Sequence, residues 1–255
     1  MDANLRATLA VFALARRGGE TREASGLLLV SSRVDYAMFN SACLTAPVST
    51  PAQLAARLED AASFYEDRRL PWSVWLCAGW LTPEVIDSAE RICGDVGLGF
   101  VTQLPAMQAD GISEPALPLP PLEYRRVEDG FTRGGFTNLM CQAFGVPRAA
   151  ARAVYESEST WRGPLAGYVG IDRGEIVTCA ATLVCAGVVG VYAVGTLPER
   201  QRRGYAEAVM RHALADTAAR CGIRRTILQS SASGYRLYER MGYRPATRYL
   251  VFAQS

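Results

Sequence analysis

The chain has 255 residues, of which 49% are hydrophobic and 20% are charged, and its formal net charge is +2. This composition is typical of a globular protein and excludes a disordered or collagen-like chain. The near-neutral charge also disfavours a protein that coats nucleic acid, because such a protein is expected to be strongly basic. All 27 basic residues are arginine, so a phosphate-binding loop that ends in Gly-Lys-Ser/Thr cannot occur.

Cysteine and histidine usage excludes the common metal sites. Seven cysteines are scattered along the chain without a Cys-x-x-Cys pair, so neither a disulfide framework nor a zinc ribbon is predicted. His212 is the only histidine, and we expect no bound metal. The apolar stretch near the N-terminus is too short for a membrane span. It is also not followed by the small residues that mark the cleavage site of a signal peptide. We therefore predict a cytoplasmic protein without a membrane anchor.

A proline-rich segment divides the sequence. Residues 109–123 contain four prolines and no periodic apolar pattern, which is typical of an extended linker. We therefore predict an N-terminal domain over residues 1–108 and a C-terminal domain over residues 124–255.

Helical and strand patterns alternate in the N-terminal half. Leu5, Leu9, Phe12 and Leu14 recur at roughly helical spacing and predict an amphipathic first helix. The remaining elements are strands at 26–32, 72–77 and 98–104, a helix at 50–68 and a helix opened by Thr82. This alternation favours an α/β layered fold.

The C-terminal half begins with a short strand and two helices, and it continues with three strands joined by hairpin turns. A long helix, a buried strand, a short helix and a last strand complete it. The predicted ranges are strand 124–129, helices 131–144 and 147–157, strands 165–171, 175–185 and 188–196, helix 202–220, strand 225–230, helix 233–241 and strand 247–253. We find no internal sequence repeat.

The stretch PERQRRGYA, residues 198–206, gathers three arginines around Gly204 directly before a helix. The first N–H groups of a helix lack intrahelical partners, and the helix dipole adds positive charge there. A glycine allows a ligand to approach the backbone, and Ala206 keeps the next turn narrow. The stretch predicts an anion site suited to a phosphate or pyrophosphate. The alternative is a solvated arginine cluster at the start of a helix.

The spacing from Gln201 to Ala206 matches Q/R-x-x-G-x-G/A and resembles the coenzyme A pyrophosphate loop of the GNAT acetyltransferase superfamily. A second stretch, SSASGYRLYERMGYRP at 230–245, resembles the short helix of that family that ends in Leu-Tyr-x-x-x-Gly-Tyr/Phe. The order of strands and helices agrees, and the resemblance covers about residues 124–255.

The N-terminal half resembles the degenerate first half of bacterial tandem GNAT proteins, on the stretches FYEDRRLPWSVWLC and TPEVIDSAERICGDVG. The expected fold is therefore α/β (α+β), with two GNAT-like layered domains, each a mixed, mostly antiparallel sheet flanked by helices. Such a half could wall the acceptor cleft with Trp72, Trp75 and Trp80. The alternative is that these tryptophans form the core of their own sheet.

The resemblance implies acetyl-CoA as co-substrate and a primary amine, on a small molecule or peptide, as acceptor. It makes Tyr238 the acid that protonates the departing thiolate. It also implies that the backbone of one strand pairs with the pantetheine arm and that backbone amides of the loop hold the pyrophosphate. The implied coenzyme-binding residues are Val194, Gly195, Thr196, Arg202, Arg203, Gly204, Tyr205, Ala206, Glu207 and Ser231.

One departure from the family leaves the general base unnamed. Many members carry a glutamate on the strand before the tyrosine helix, whereas this chain offers Thr226 and Gln229. Glu175 and Glu199 are alternatives, although each is more typical of a solvated turn, and a water relay is another. The missing carboxylate favours the alternative of a non-catalytic CoA-binding sensor or scaffold. A nucleic-acid-binding module is disfavoured by the charge balance, and homodimerisation is left open.

Overall fold

The computed structural model describes residues 1–254 as a mixed sheet with helices on both faces. The N-terminal half contains α1 (Asp2–Leu14), β1 (Glu20–Ala24), β2 (Leu27–Ser31), β3 (Asn40–Leu44), α2 (Pro51–Glu66), β4 (Ser73–Cys77), α3 (Pro83–Asp95) and β5 (Gly99–Ala109). The C-terminal half contains β6 (Glu123–Arg126), α4 (Gly130–Phe144), α5 (Arg148–Tyr155), α6 (Glu158–Trp161), β7 (Leu165–Asp172), β8 (Glu175–Cys185), β9 (Val188–Thr196), α7 (Tyr205–Cys221), β10 (Thr226–Gln229), α8 (Tyr235–Arg240) and β11 (Arg244–Ala253).

The described strands form one sheet of order β1-β2-β3-β4-β11-β5-β10-β9-β8-β7-β6. Only β3 with β4 and β9 with β10 are parallel neighbours; the other neighbouring pairs are antiparallel. The expected mixed, mostly antiparallel sheet flanked by helices is therefore confirmed. The two expected sheets are joined edge to edge into one.

The two halves exchange their last strands. β5, from the N-terminal half, pairs with β10, and its Ala109 lies opposite Thr226. β11, from the C-terminal half, pairs with β4, and its Ala253 lies opposite Ser73. β5 and β11 also pair with each other. The proline-rich segment therefore separates the halves along the chain, whereas their hydrogen-bond ladders cross between them.

The strand order is nearly symmetric about the β5–β11 pair. β4 and β10, β3 and β9, β2 and β8, and β1 and β7 occupy equivalent positions on the two sides. The connections agree, because α2 joins β3 to β4 as α7 joins β9 to β10. The chain is therefore built as two similar units, and a site in one has a positional counterpart in the other.

β8 shows how the helices cover both faces of the sheet. Cys179 and Leu183 join the core cluster that contains α4 and α5, whereas Ala180, between them, joins the cluster of α7. Successive side chains of a strand point to opposite faces. Because both faces are covered, the strand after Glu175 is apolar apart from Thr178 and Thr182, and this is why the sequence predicted it readily.

Two expectations on apolar side chains are resolved by burial. Leu5 and Leu9 of α1 are buried, but Leu14 is 65% exposed, so its predicted place on the buried stripe is wrong. Trp72 is fully buried and stacks on Tyr65 with ring centroids 5.0 Å apart. That tryptophan belongs to the core of the N-terminal half. No helix within residues 1–254 is long and apolar enough to cross a membrane.

Asn4 of α1 joins the two halves through a buried hydrogen-bond network. Its amide nitrogen donates to the carbonyl oxygens of Leu183, Cys185 and Val188 at 3.1–3.2 Å, and its amide oxygen accepts from the Tyr192 hydroxyl at 2.6 Å. Position 190 requires a glycine, because a Cβ there would collide with the Asn4 amide oxygen. Helix α1 is thereby attached to the β8–β9 hairpin.

We expect Asn4→Ala to lower the free energy of unfolding by about 2–4 kcal/mol, because it leaves buried carbonyl groups without donors. Urea denaturation measures the loss. Asn138→Ala is the matched control, since Asn138 accepts only from the neighbouring Gln142 side chain on the surface of α4, and it is expected to change stability by less than about 0.5 kcal/mol. An equal effect of the two substitutions would contradict the role of Asn4.

Candidate functional site

β9 and β10 separate beyond their first residues. Residues 189–191 of β9 pair with residues 226–228 of β10, and β10 then ends at Gln229. β9 continues to Thr196, so its edge from Tyr192 onward has no strand neighbour on that side. We call this gap, between residues 192–196 of β9 and residues 229–234 at the end of β10 and after it, the β9–β10 opening. Its β9 side offers backbone N–H and C=O groups for strand-like pairing.

A bulge directs this edge of β9. The pairing of β9 with β8 shifts register between Tyr192 and Gly195, and Ala193 has a φ of +52°. A bulge bends a strand and increases its twist, which turns the edge away from its neighbour. Gly195 is needed here, because a Cβ would lie 2.9 Å from the Phe144 ring of α4. The predicted Val194, Gly195 and Thr196 therefore lie on the open edge.

The loop between β9 and α7 contains two residues in the left-handed region. Arg202 has a φ of +64° and Gly204 a φ of +81°, and α7 begins at Tyr205. The helix therefore starts three residues later than the sequence predicted. Residues 201–204 are exposed, and the unpaired N–H groups of the first turn of α7 follow them directly.

Gly204 has a second constraint besides its backbone conformation. A Cβ on this residue would lie 3.1 Å from Cδ of Pro120, in the proline-rich segment. The segment is held near α7, because Arg211 donates to the Ser113 carbonyl oxygen at 2.6 Å. Any side chain at position 204 is thus strained whether or not a ligand binds, so substitution of Gly204 does not isolate ligand approach.

The three arginines of the loop are not equivalent. Arg200 donates to Glu175 at 2.5 Å, and this hydrogen bond raises the pKa of the guanidinium. Arg202 and Arg203 form no ion pair with any residue of 1–254 and are exposed. They add two uncompensated positive charges at the positive end of the α7 dipole. The local charge therefore favours an anion.

The first turn of α7 carries an acid whose charge is compensated. Glu207 pairs with Arg211 at 2.8 Å, and both side chains are mostly buried. Tyr205 packs its ring inward and donates its hydroxyl to Asp172 at 2.8 Å. These contacts anchor the start of the helix beneath the loop, and Ala206 lies between them on the half-buried face.

Tyr238 of α8 lies at the other side of the opening. Its ring is buried in a cluster with Met210, Met241 and Tyr243, and Val194 packs against the same cluster. Burial raises the pKa of Tyr238 to about 12, so the hydroxyl is protonated at neutral pH. No hydrogen bond within residues 1–254 engages this hydroxyl. The structure thus brings Val194 and Tyr238 into one cluster.

The remaining polar candidates have structural partners. The Ser231 hydroxyl accepts from the Gly234 N–H at 3.2 Å and lies 3.0 Å from the Ser233 hydroxyl, so it shapes the turn before α8. Thr226 donates to the Tyr243 hydroxyl at 2.7 Å. Glu175 is engaged by Arg200, which leaves its carboxylate unsuited to general-base work.

His212 lies outside this chemistry. Its ring stacks on Tyr124 with centroids 4.2 Å apart. Burial lowers the pKa of the imidazole. This stacking joins α7 to β6.

Comparisons with known proteins agree with this geometry. Residues 164–245 match the family model described as an acetyltransferase (GNAT) domain, a range that contains the β9–β10 opening, the arginine loop and Tyr238. A GCN5-related N-acetyltransferase from Kribbella flavida has a TM-score of 0.72 and 17% identity, over 100% of this chain and 95% of that chain. No curated protein matches this chain.

Two further solved structures have the same fold over most of both chains. A functionally unknown conserved protein from Staphylococcus epidermidis ATCC 12228 has a TM-score of 0.66 and 13% identity, over 92% of this chain and 94% of that chain. A tandem GNAT protein from the clavulanic acid biosynthesis pathway has a TM-score of 0.57 and 11% identity, over 89% of this chain and 77% of that chain. At these identities the likeness establishes the fold.

Proposed function

We propose that this chain, whose residues 164–245 match the family model of the acetyltransferase (GNAT) domain, transfers an acetyl group from acetyl-CoA to a primary amine on a small molecule or peptide. The observation that supports it most is the adjacency of two features. An unpaired strand edge at 192–196 runs directly into a loop whose Arg202 and Arg203 have free charges. A ligand with an amide-containing arm and a pyrophosphate complements both.

In this proposal the pantetheine arm pairs with the β9 edge at Val194, Gly195 and Thr196 as an added strand would. The pyrophosphate lies against the loop and the first turn of α7, where backbone N–H groups are free. Arg202 and Arg203 add charge-assisted hydrogen bonds to the phosphates. The coenzyme-binding residues are those from Arg202 to Glu207, together with Ser231 at the turn before α8.

The reaction proceeds by direct attack. The neutral amine nitrogen forms a bond to the thioester carbonyl carbon, and a backbone N–H near Val194 polarises the carbonyl. The C–S bond then breaks, and Tyr238 donates its proton to the departing thiolate. The proton that the amine loses passes to water, because Arg200 engages the Glu175 carboxylate and Glu199 lies exposed on the turn after β9, beyond residues 192–196.

A non-catalytic CoA-binding sensor or scaffold is the second candidate, and the missing carboxylate base favours it. The two functions differ in thioester consumption. An enzyme releases free CoA thiol from acetyl-CoA when a panel of primary amines is supplied, and a sensor binds acetyl-CoA without releasing it. Titration of free thiol over that panel decides between them and also identifies the acceptor class.

The positional counterpart of the opening in the N-terminal half is closed. Beyond β3 and β4, Val48 forms a parallel bridge with Leu81, and its N–H donates to the Trp80 carbonyl oxygen at 2.9 Å. The loop from β3 to α2, residues 45–50, contains no arginine and no glycine. We infer that the half formed by residues 1–108 is degenerate and binds no coenzyme.

The start of α2, the helix of that half that corresponds to α7, also offers fewer free backbone N–H groups. The Thr50 side chain accepts from the Gln53 N–H, and Pro51 at the first helical position has no N–H to offer. The Arg57 guanidinium donates to the carbonyl oxygens of Ala46 and Pro47 at 2.7 and 3.0 Å. Arg57 is thus bound to the loop before its own helix, whereas Arg202 and Arg203 are free to meet a ligand.

We therefore expect one molecule of acetyl-CoA to bind per chain, at the C-terminal half. Isothermal titration calorimetry gives the stoichiometry directly. Two equivalents per chain would contradict the closure of the N-terminal site, and a chain in which Arg202 is altered would then retain one of them.

A further inference from the structure

Gln229, the last residue of β10, has a buried amide nitrogen without a partner. Its Nε2 atom is shielded from solvent and forms no hydrogen bond within residues 1–254. A buried donor that is left unpaired costs free energy, so such groups are rare unless they serve another purpose. Four of the other orphaned polar atoms lie in the N-terminal half, in Ser31, Ser32, Trp72 and Trp75, and the fifth, Nη2 of Arg211, lies 2.8 Å from the Glu207 carboxylate in an ion pair. Gln229 is the one placed at the β9–β10 opening.

The strand pattern shows which face Gln229 occupies. Thr226 and Leu228 lie on the face of α8, where they meet Tyr243 and the cluster around Tyr238. Gln229 lies on the opposite face beside its pairing partner Ala106, which packs in the cluster of α1. The side chain therefore stands at the inner end of the opening, across the sheet from Tyr238.

Thr226, on the same strand, differs from Gln229 in having a hydrogen-bond partner for its side chain. The Thr226 hydroxyl has a partner at 2.7 Å, so its polar group is part of the folded structure. The Gln229 amide has none, although an aliphatic side chain of similar volume would satisfy the fold without an orphaned donor. A feature that the fold does not need points to a ligand that supplies the missing acceptor.

We propose that Nε2 of Gln229 donates a hydrogen bond to the thioester carbonyl oxygen of bound acetyl-CoA, an inference that rests on the proposed function. When a pantetheine arm extends along residues 192–196, its innermost group is the thioester, and β10 ends beside it. A carbonyl oxygen is an acceptor, as the amide requires. Negative charge develops on that oxygen when the amine adds to the carbonyl carbon.

Gln229 would then act as a second oxyanion donor beside the backbone N–H near Val194. It stabilises the tetrahedral oxyanion while the C–N bond forms, and it releases the carbonyl oxygen when the C–S bond breaks and Tyr238 protonates the thiolate. Removal of one such donor lowers kcat by about 10²–10³-fold in acyl-transfer enzymes. This role requires no proton on or off Gln229, so a neutral amide suffices.

The test is Gln229→Leu, which keeps volume and removes the donor. With acetyl-CoA labelled with ¹³C at the thioester carbonyl, infrared difference spectra of the complex report polarisation of that bond without an acceptor. We expect the wild-type complex to shift the carbonyl band to lower frequency and Gln229→Leu to return it toward the value of free acetyl-CoA. The midpoint of urea denaturation should stay the same or rise, because an orphaned donor is removed. A carbonyl band unchanged by Gln229→Leu overturns the proposal.

Thr226→Val is the matched control on the same strand. It removes the hydrogen bond to Tyr243, so it should lower the denaturation midpoint and leave the carbonyl band in place. Failure of the proposed function is distinguishable from failure of this inference. If wild-type protein binds no acetyl-CoA, the proposed function is wrong; if it binds and the two variants shift the band alike, the assignment of Gln229 is wrong.

Discussion

Replacement of Tyr238 by phenylalanine lowers kcat by about 10²-fold or more in the proposed reaction, with acetyl-CoA affinity changed by less than about threefold. Phenylalanine preserves the ring that packs against Met210 and Tyr243 and removes only the hydroxyl. That hydroxyl has no hydrogen-bond partner within residues 1–254, so its removal costs the fold little. The substitution therefore removes the proton donor of the departing thiolate and leaves the packing of the ring in place.

The pH dependence follows from burial. Burial raises the pKa of Tyr238 to about 12. The hydroxyl is therefore protonated throughout the neutral range, and its activity as an acid is lost only as the pH approaches that value. Wild-type kcat should show no fall assignable to Tyr238 below about pH 11.

Steady-state kinetics with an acceptor from the amine panel measure the effect, and urea denaturation confirms that the variant is folded. Tyr243→Phe is the matched control, because its hydroxyl accepts from Thr226 and belongs to the fold. It should lower stability and leave kcat nearly unchanged. An unaltered kcat in Tyr238→Phe would remove this residue from the catalytic site.

Reversal of the two free charges of the loop, in the double variant Arg202→Glu and Arg203→Glu, weakens acetyl-CoA binding by about 10²-fold or more at low salt. Each arginine contributes a charge-assisted hydrogen bond worth about 1.5–3 kcal/mol when a phosphate is its partner. The substituted carboxylates also repel the pyrophosphate at the positive end of α7.

Calorimetry over a salt series measures this prediction, because screening reduces an attraction between exposed charges. The affinity of the wild type for acetyl-CoA should fall as the salt concentration rises. The difference in binding free energy between the wild type and the double variant should then become smaller. Arg200→Gln is the matched control, since Glu175 and Asp172 already compensate the charge of Arg200; its affinity should change by less than about threefold. The double variant changes the charge of the loop four times as much as Arg200→Gln does. A loss of binding free energy in Arg200→Gln in that proportion would therefore show that the loop acts by its total charge, and no loss in the double variant would remove the loop from the coenzyme site.

Local chemistry made much of the fold predictable. Thr50 and Thr82 precede prolines that can start helices, and both side chains accept from the backbone as caps. Asp172-Arg173-Gly174 predicted a hairpin, and Gly174 has a φ of +83°. Each signal lies within a few residues of the structure that it determines, so no knowledge of distant contacts is required.

Elements without a strong local pattern were missed. β1 is half exposed and polar, and β3 is a short run that lacks both alternation and flanking turn signals. Both are strands because β2 pairs with them on either side. Their structure comes from a neighbour, and a single-sequence pattern carries little of that information.

For the candidate site, the sequence by itself determined the loop motif, the tyrosine helix and the order of elements around them, because these depend on residues close together in the chain. Tertiary structure alone decided that Arg200 is paired while Arg202 and Arg203 are free, since Asp172 and Glu175 approach across a hairpin. It also decided that β5 and β11 exchange places between the halves and that the Gln229 amide stays unpartnered. Pairing over such separations depends on which distant surfaces bury one another, and that balance of burial and loop closure is set by the whole chain.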